Sequence, residues 1–452
     1  MIKAKKALEK ISPQEFENQN YQWRLKLDKN ENIYGCANNI LSAIKNISSK
    51  EISNYPIYEN LFKKLSEKYK LNKTNFLITN GTNDALKNIT ETYLESNETI
   101  YYFLNSKENI NKNNKIIYIE SPSTQTGEII KASDIEYMLN KYNDKLFVIN
   151  CSYISYSNLI TLEDYIDLIK KHDNIAIIKS YSNDFAIAGL RFAIIIANNT
   201  IIDNIKKIIS PYSVNSIAVQ CALMILNDNK RMEEIKEWNN SAKILFEEIL
   251  QKNNIEFYKS EANFILCNFK NYCDFYYEKF KKQSVITKKY SSKSNYENYL
   301  RITIPTLGGV KFIGELLNKK NVIIFDTTNV LFNEKELLIS ADTLNELSKR
   351  YDLVIYSSDI NFEQLETYKI QKYFYSIHSS KNIEISKYLN KIPYNTIKFF
   401  SADVNNIIKA NMANLETIGI VPIDSNQQTV INNYKHLGIN YITSKTINIE
   451  NF

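Results

Sequence analysis

Ser180-Tyr181-Ser182-Asn183-Asp184-Phe185-Ala186-Ile187-Ala188-Gly189-Leu190-Arg191 follows directly on an apolar run, Asn174 to Lys179. A short apolar run of this kind reads as a buried strand. Polar residues at its end, with a glycine and an arginine shortly after, suit an anion. Hydroxyls and backbone N–H groups at a helix start stabilise phosphate, and arginine adds a bidentate contact. Asn80-Gly81-Thr82-Asn83-Asp84 opens a helix in the same manner, after the β-prone run Asn75 to Thr79. Glycine is scarce, nine in 452 residues, so each one marks a demanding backbone position.

Outward from these two loops, helix and strand patterns alternate. Leu61 to Lys70 carries apolar residues at helical spacing, Leu146 to Asn150 reads as a buried strand, and a helix is expected over Leu162 to Lys171. This rhythm predicts an α/β protein with a mainly parallel sheet. A separate rhythm starts at Asn321-Val322-Ile323-Ile324-Phe325-Asp326 and continues through Tyr351–Ser357 and Thr396–Phe400 to Thr417–Val421. The lysine-rich stretch Leu316 to Lys320 is the expected boundary, and no internal repeat relates the two parts.

Composition narrows the class. Hydrophobic content of 44% with 23% charge is that of a globular protein. No apolar run approaches the roughly 20 residues of a membrane span. Met1-Ile2-Lys3-Ala4-Lys5-Lys6 is basic but is followed by no apolar stretch, so no secretory signal is expected. Five cysteines without a CxxC pair predict a cytoplasmic protein with free thiols. A net charge of +6 without a basic or arginine-rich run argues against nucleic acid as partner. Asn111-Lys112-Asn113-Asn114-Lys115 reads as a low-complexity surface loop.

Further segments fall in a telling order. They are Lys26-Leu27-Asp28-Lys29-Asn30-Glu31-Asn32-Ile33-Tyr34-Gly35, then Asn54-Tyr55-Pro56, then Pro211-Tyr212-Ser213-Val214-Asn215-Ser216. Glu261-Ala262-Asn263-Phe264 and Leu300-Arg301-Ile302-Thr303 complete the series. With the two loops above, it resembles the histidinol-phosphate-type class I and II pyridoxal-phosphate aminotransferases over residues 20–318. The resemblance implies a fold-type-I α/β architecture, with a large part at 50–230 and a small one at 1–49 and 231–319. It implies that Gly81, Thr82, Ser180, Ser182 and Arg191 hold the cofactor phosphate and that Asn150 faces the ring oxygen. Tyr55 would reach across a homodimer interface to the partner's phosphate. Arg301 would bind a substrate carboxylate; the alternative is a surface arginine at a strand end.

Two departures stand against these matches. In the family a Schiff-base lysine follows the serine at 182, where this chain has Asn183, and the spacing to Arg191 is undisturbed. An amide forms no imine and shuttles no proton. Lys179 lies a few residues back in the strand. The family also places an aspartate, on a strand of its own, against the pyridinium nitrogen. Only one helix and one strand fit between Tyr156 and Ser180, and Asp173 sits in a loop-like setting. Asn150-Cys151-Ser152-Tyr153-Ile154-Ser155 also lacks the prolines and glycine of the family turn.

In the second rhythm, Asp326 ends a buried strand, as in an ordinary Asx turn or as a nucleophile for phosphoryl transfer. Ser357 would supply a phosphate-binding hydroxyl and Lys381 a neutralising charge. Residues 320–445 resemble the haloacid-dehalogenase-type phosphatases, particularly their small capless magnesium-dependent branch. That resemblance implies an α/β Rossmann-like unit over 320–452, with Asp326 as nucleophile and Mg2+ ligand and Thr328 at the general-acid position. The acids that hold Mg2+ align with Ser401-Ala402, and Asp403 follows as a substitute ligand. Three readings remain open at this level. One is a scaffold or binder of a small phosphorylated ligand, with pyridoxal phosphate held non-covalently at best. Another is an active bifunctional aminotransferase and phosphatase. The third is lysine-free chemistry on the cofactor.

Overall fold

The computed structural model describes residues 22–103, 110–318, 321–333, 336–381, 396–413, 415–422 and 427–443, together with Glu384, Ile385, Lys387, Pro393 and Tyr394. Met1–Lys6 and the end of the expected boundary at Leu316–Lys320 lie outside these described residues.

After β1 (Leu25–Leu27) come β2 (Phe76–Thr79), β3 (Thr99–Tyr102), β4 (Asn114–Glu120), β5 (Leu146–Asn150), β6 (Ile175–Ser180) and β7 (Ala193–Ala197). β2 to β7 form one sheet in the order β2-β7-β6-β5-β4-β3. β3 to β6 run parallel, and β7 runs antiparallel to both β6 and β2. The strands are apolar on both faces, as a doubly covered sheet requires. Phe147 and Ile177 face the helices Glu59–Tyr69, Leu162–Ile169 and Ser216–Leu226. Val148 and Ile178 face the helices Thr82–Tyr93 and Asn199–Lys206. Alternation along β6 therefore sends Lys179 to the first face with Ile177 and Ser180 to the second with Ile178. The expected loop at Asn111–Lys115 is shorter than its composition suggests, because Asn114 and Lys115 already belong to β4 and Asn114 is buried.

The small sheet adds β8 (Glu256–Phe257), β9 (Phe264–Asn268), β10 (Val285–Lys289) and β11 (Tyr299–Thr303) to β1, in the order β1-β10-β11-β9-β8. Its core collects Phe246 and Leu250 from the helix Asn229–Lys252, Phe280 from Cys273–Lys282 and Ile313 from Leu307–Leu317. The expectation that residues 1–49 belong to the small part needs correction. Of its described residues β1 joins that sheet, whereas the helix Asn38–Lys45 buries Ile40 in the core of the larger one.

β12 (Asn321–Phe325), β13 (Tyr351–Ser357), β14 (Phe374–Ser379), β15 (Ile397–Ser401), β16 (Glu416–Val421) and β17 (Asn440–Thr443) form a third, all-parallel sheet. Its order, β14-β13-β12-β15-β16-β17, is that of a doubly wound fold. In such a sheet the strand order reverses beside the first strand, and the crevice at the carboxyl ends there receives ligands. Asp326, Ser357 and Ser401 stand at that switch point. The sheet docks on the small part through a buried ion pair, Lys279 Nζ to Asp352 Oδ2 at 3.4 Å. All five cysteines are free thiols, four of them buried, and burial pushes Cys221 up to about 11 and Cys273 up to about 12. No helix among the described residues is long and apolar enough to cross a membrane.

Candidate functional site

Thr79 and Ser180 both lie opposite Ala193 in the register of the large sheet. That places Gly81, Ser182 and Arg191 at the same edge. Gly81 caps the helix Thr82–Tyr93 with φ +86° and supplies no side-chain acceptor to its first N–H groups. A Cβ at this position would collide with the Arg191 guanidinium, so only glycine fits. Arg191 has positive φ as well, and its Nη1 donates to Ala188 O at 3.2 Å. Ser182 N donates to Ser180 Oγ at 3.2 Å. Thr82 Oγ1 lies 3.4 Å from Ser152 Oγ, which donates to Asn150 Oδ1 at 2.6 Å. Asn150 Nδ2 donates in turn to the Tyr118 hydroxyl at 2.9 Å. Gly81, Thr82, Asn150, Ser180, Ser182 and Arg191 thus gather at one sheet edge. Tyr118 and Ser152, which sequence reading missed, complete the chain. Ser152 stands two residues after Asn150, the spacing of an Asx-type turn, and that was its only signal.

The rest of the predicted machinery is placed differently. Asn183 O accepts from the Tyr156 hydroxyl at 2.9 Å. β5 pairs directly with β6, so no strand lies between them to carry a carboxylate. Asp173 precedes β6 at the opposite edge, where its Oδ1 accepts from Asn198 Nδ2 at 3.1 Å. Lys179 Nζ donates to Asp184 Oδ2 at 2.5 Å and to Ser155 Oγ at 2.9 Å, on the face away from Ser180. Arg301 is not a surface arginine at a strand end: Nη1 donates to Thr124 O at 2.7 Å and Nη2 to Asp28 O at 2.9 Å, clamping the large part to the small one. Tyr55 is 75% exposed and stacks on Tyr212 at 4.3 Å. The cradle fits a phosphate group, through hydroxyls, helix N–H groups and one guanidinium. It does not fit the reactive ring of pyridoxal phosphate, because neither an amine for the aldehyde nor a carboxylate for the ring nitrogen stands there.

At the switch point of the third sheet, Asp326 is 4% exposed and its carboxylate is fully engaged. Oδ1 accepts from Thr327 N at 2.8 Å and Ser357 Oγ at 2.6 Å. Oδ2 accepts from Ser401 Oγ at 2.8 Å and Asn406 Nδ2 at 3.0 Å. Thr327 Oγ1 also lies 2.7 Å from Ser357 Oγ, whereas the predicted Thr328 is exposed. Lys381 pairs with Asp359 at 3.1 Å on the rim, and its charge holds the Asp359 carboxyl below the usual range. Asp403, expected as a metal ligand, caps the helix Val404–Met412 by accepting from Asn405 N at 2.7 Å. The described residues contain no group of three or more metal-ligating side chains. Four neutral donors on one carboxylate do not fit Mg2+, which prefers several oxygen ligands in octahedral array.

Residues 103–311 match the family model described as aminotransferase class I and II. Histidinol-phosphate aminotransferase 2 of Haemophilus influenzae is 26% identical over 313 residues, covering 62% of this chain and 85% of the relative. The histidinol-phosphate aminotransferase of Clostridium beijerinckii is 26% identical over 317 residues, covering 62% and 87%. Among solved structures, the histidinol-phosphate aminotransferase from Clostridium acetobutylicum superposes with a TM-score of 0.59 at 20% identity, covering 65% of this chain and 98% of that one. The L-threonine-O-3-phosphate decarboxylase from Porphyromonas gingivalis gives 0.58 at 18% identity, with coverage of 65% and 98%. At these identities the solved structures establish the fold, a fold-type-I aminotransferase α/β architecture.

Proposed function

We propose that the N-terminal two thirds of this chain, built on the fold of the class I and II aminotransferases, binds a small phosphorylated ligand and does not transaminate. The observation that carries this reading is the cradle around Gly81 and Arg191 standing beside Asn183. The anion-holding groups are present, and the imine-forming group is an amide. Direct pairing of β5 with β6 supports it further, since ring electrons would have no acidic partner. The relatives are named for histidinol phosphate, a phosphorylated compound, which agrees with a phosphate as the retained feature. When bound, pyridoxal phosphate would supply an electron-withdrawing ring, but this chain holds it through its phosphate alone.

For the C-terminal third, a haloacid-dehalogenase-like fold is supported by the strand order and by Asp326 at the end of the central strand. Phosphatase chemistry is not, because the Asp326 oxygens are occupied by neutral donors.

Protein mixed with pyridoxal phosphate and treated with borohydride should carry no reduced adduct on any lysine by peptide mass spectrometry. It should nevertheless bind pyridoxal phosphate reversibly, with affinity falling about tenfold in Arg191→Met for loss of one charge-assisted contact. An adduct on Lys179 or another lysine would overturn this reading. So would Mg2+-dependent release of phosphate from an aryl phosphate for the C-terminal third.

A homodimer is proposed through the face that carries Tyr55. Ile52, Tyr55 and Ile57 are 68%, 75% and 80% exposed and close together in sequence, which is unusual for apolar side chains facing water. Sedimentation should give twice the chain mass, shifting toward the monomer in Ile57→Glu; a monomeric parent protein removes the proposal.

A further inference from the structure

A cavity of about 550 Å³ lies between the loop after β4 and the small sheet, outside the phosphate cradle. Five aromatic rings line it: Tyr102, Phe103 and Tyr118 from the large part, Tyr258 and Tyr296 from the small one. Glu120 and Glu128 supply its charge, and no lysine, arginine or histidine is among its described lining residues. The walls are preformed. Tyr102 packs edge-on to Tyr118 at 5.4 Å, and Tyr258 edge-on to Tyr296 at 6.3 Å. The loop between them is pinned at both ends of its span. Arg301 Nη1 donates to Thr124 O at 2.7 Å, and Glu261 N donates to Gly127 O at 2.8 Å. Gly127 has φ +78° and packs so closely on Ser260 that a Cβ would collide with it.

Aromatic faces carry negative electrostatic potential and attract organic cations, most strongly where carboxylates reinforce them. Two carboxylates are too few for a dedicated metal site, and the described residues hold no group of three. We propose that this cavity is a binding site for an alkylammonium group, of the kind borne by quaternary or primary amines. The site does not rest on the reading of the phosphate cradle, although Tyr118 walls the cavity and its hydroxyl accepts from Asn150 of the cradle chain. Ligands of this class would enter with the ammonium against the rings and Glu128.

The test uses the full chain and calorimetric titration. Choline is compared with 3,3-dimethylbutanol, its neutral isostere, and inorganic phosphate is titrated separately to report on the cradle. Choline is expected to bind about fivefold or more tightly than the alcohol, the scale of a cation held by aromatic faces. Glu128→Gln and Tyr296→Leu should each remove most of that preference while phosphate binding persists. Equal affinity for choline and the alcohol, no binding of either, or an unchanged preference in both variants would overturn the proposal. Failure of phosphate alone would overturn the cradle reading and leave this one standing.

Discussion

Lys179→Met is expected to lower the stability of the large part by about 3–5 kcal/mol, the cost of leaving a buried carboxylate without its cation. The side chains of Lys179 and Asp184 are 3% and 0% exposed. Asp184 Oδ2 accepts from Lys179 Nζ at 2.5 Å and from Ser155 Oγ at 2.7 Å. Its other oxygen, Oδ1, is buried with no hydrogen-bond partner. The ammonium is therefore the group that makes a charge tolerable at this depth. The double substitution Lys179→Met/Asp184→Asn removes both charges and should recover a large share of the loss. The net worth of a buried pair is small even though breaking one side of it is severe. Urea unfolding followed by tyrosine fluorescence reads both variants. A single-variant loss below about 1 kcal/mol, the range of an exposed pair, would show the contact to be solvated and sink the account. The same geometry explains why Lys179 does not replace the missing Schiff-base lysine: its ammonium is committed on the face opposite Ser180.

These contacts mark where sequence reading stops. The apolar run before Ser180 announced β6, and the polar tail with Gly189 and Arg191 announced a phosphate-holding edge. Both depend on local pattern, as did the shortage of chain between Tyr156 and Ser180 that the direct pairing of β5 with β6 explains. Arg301 was legible as a functional position but not as a clamp, because its partners Asp28 and Thr124 are brought to it only by the docking of two sheets. Asp403 was misread for a related reason. Its carboxylate sits next to a helix start, and capping two backbone N–H groups competes with metal ligation. Thr327 was overlooked in favour of Thr328 because the family spacing pointed one residue further. The backbone turns instead so that Thr327 faces Ser357 and Thr328 faces solvent.

Asp326→Ala is expected to cost the C-terminal third about 2–4 kcal/mol, since several buried donors lose one charged acceptor together. Ser357 can fall back on Thr327 Oγ1 at 2.7 Å, and Ser401 on Asp403 O at 3.4 Å, so the loss is less than the sum of separate contacts. Asn406 Nδ2 and Thr327 N have no such alternative in the geometry described. Asp326→Asn keeps the shape but turns one acceptor into a donor facing donors, and should cost about 1–3 kcal/mol. A hub of this kind ties β12, β13, β15 and the helix Val404–Met412 to one point, which is a structural use of a position where a nucleophile would also stand. The two uses separate in the presence of metal. A carboxylate that ligates Mg2+ in the folded state gains stability with metal concentration, because binding to the native form alone shifts the equilibrium. Here the urea midpoint of the unsubstituted chain should be the same with and without millimolar Mg2+, and Asp326→Asn should shift it downward equally in both. A rise of the midpoint with Mg2+ that disappears in Asp326→Asn would show that the hydroxyls and amide yield the carboxylate to a metal, and the hub would then be a resting arrangement of a working site.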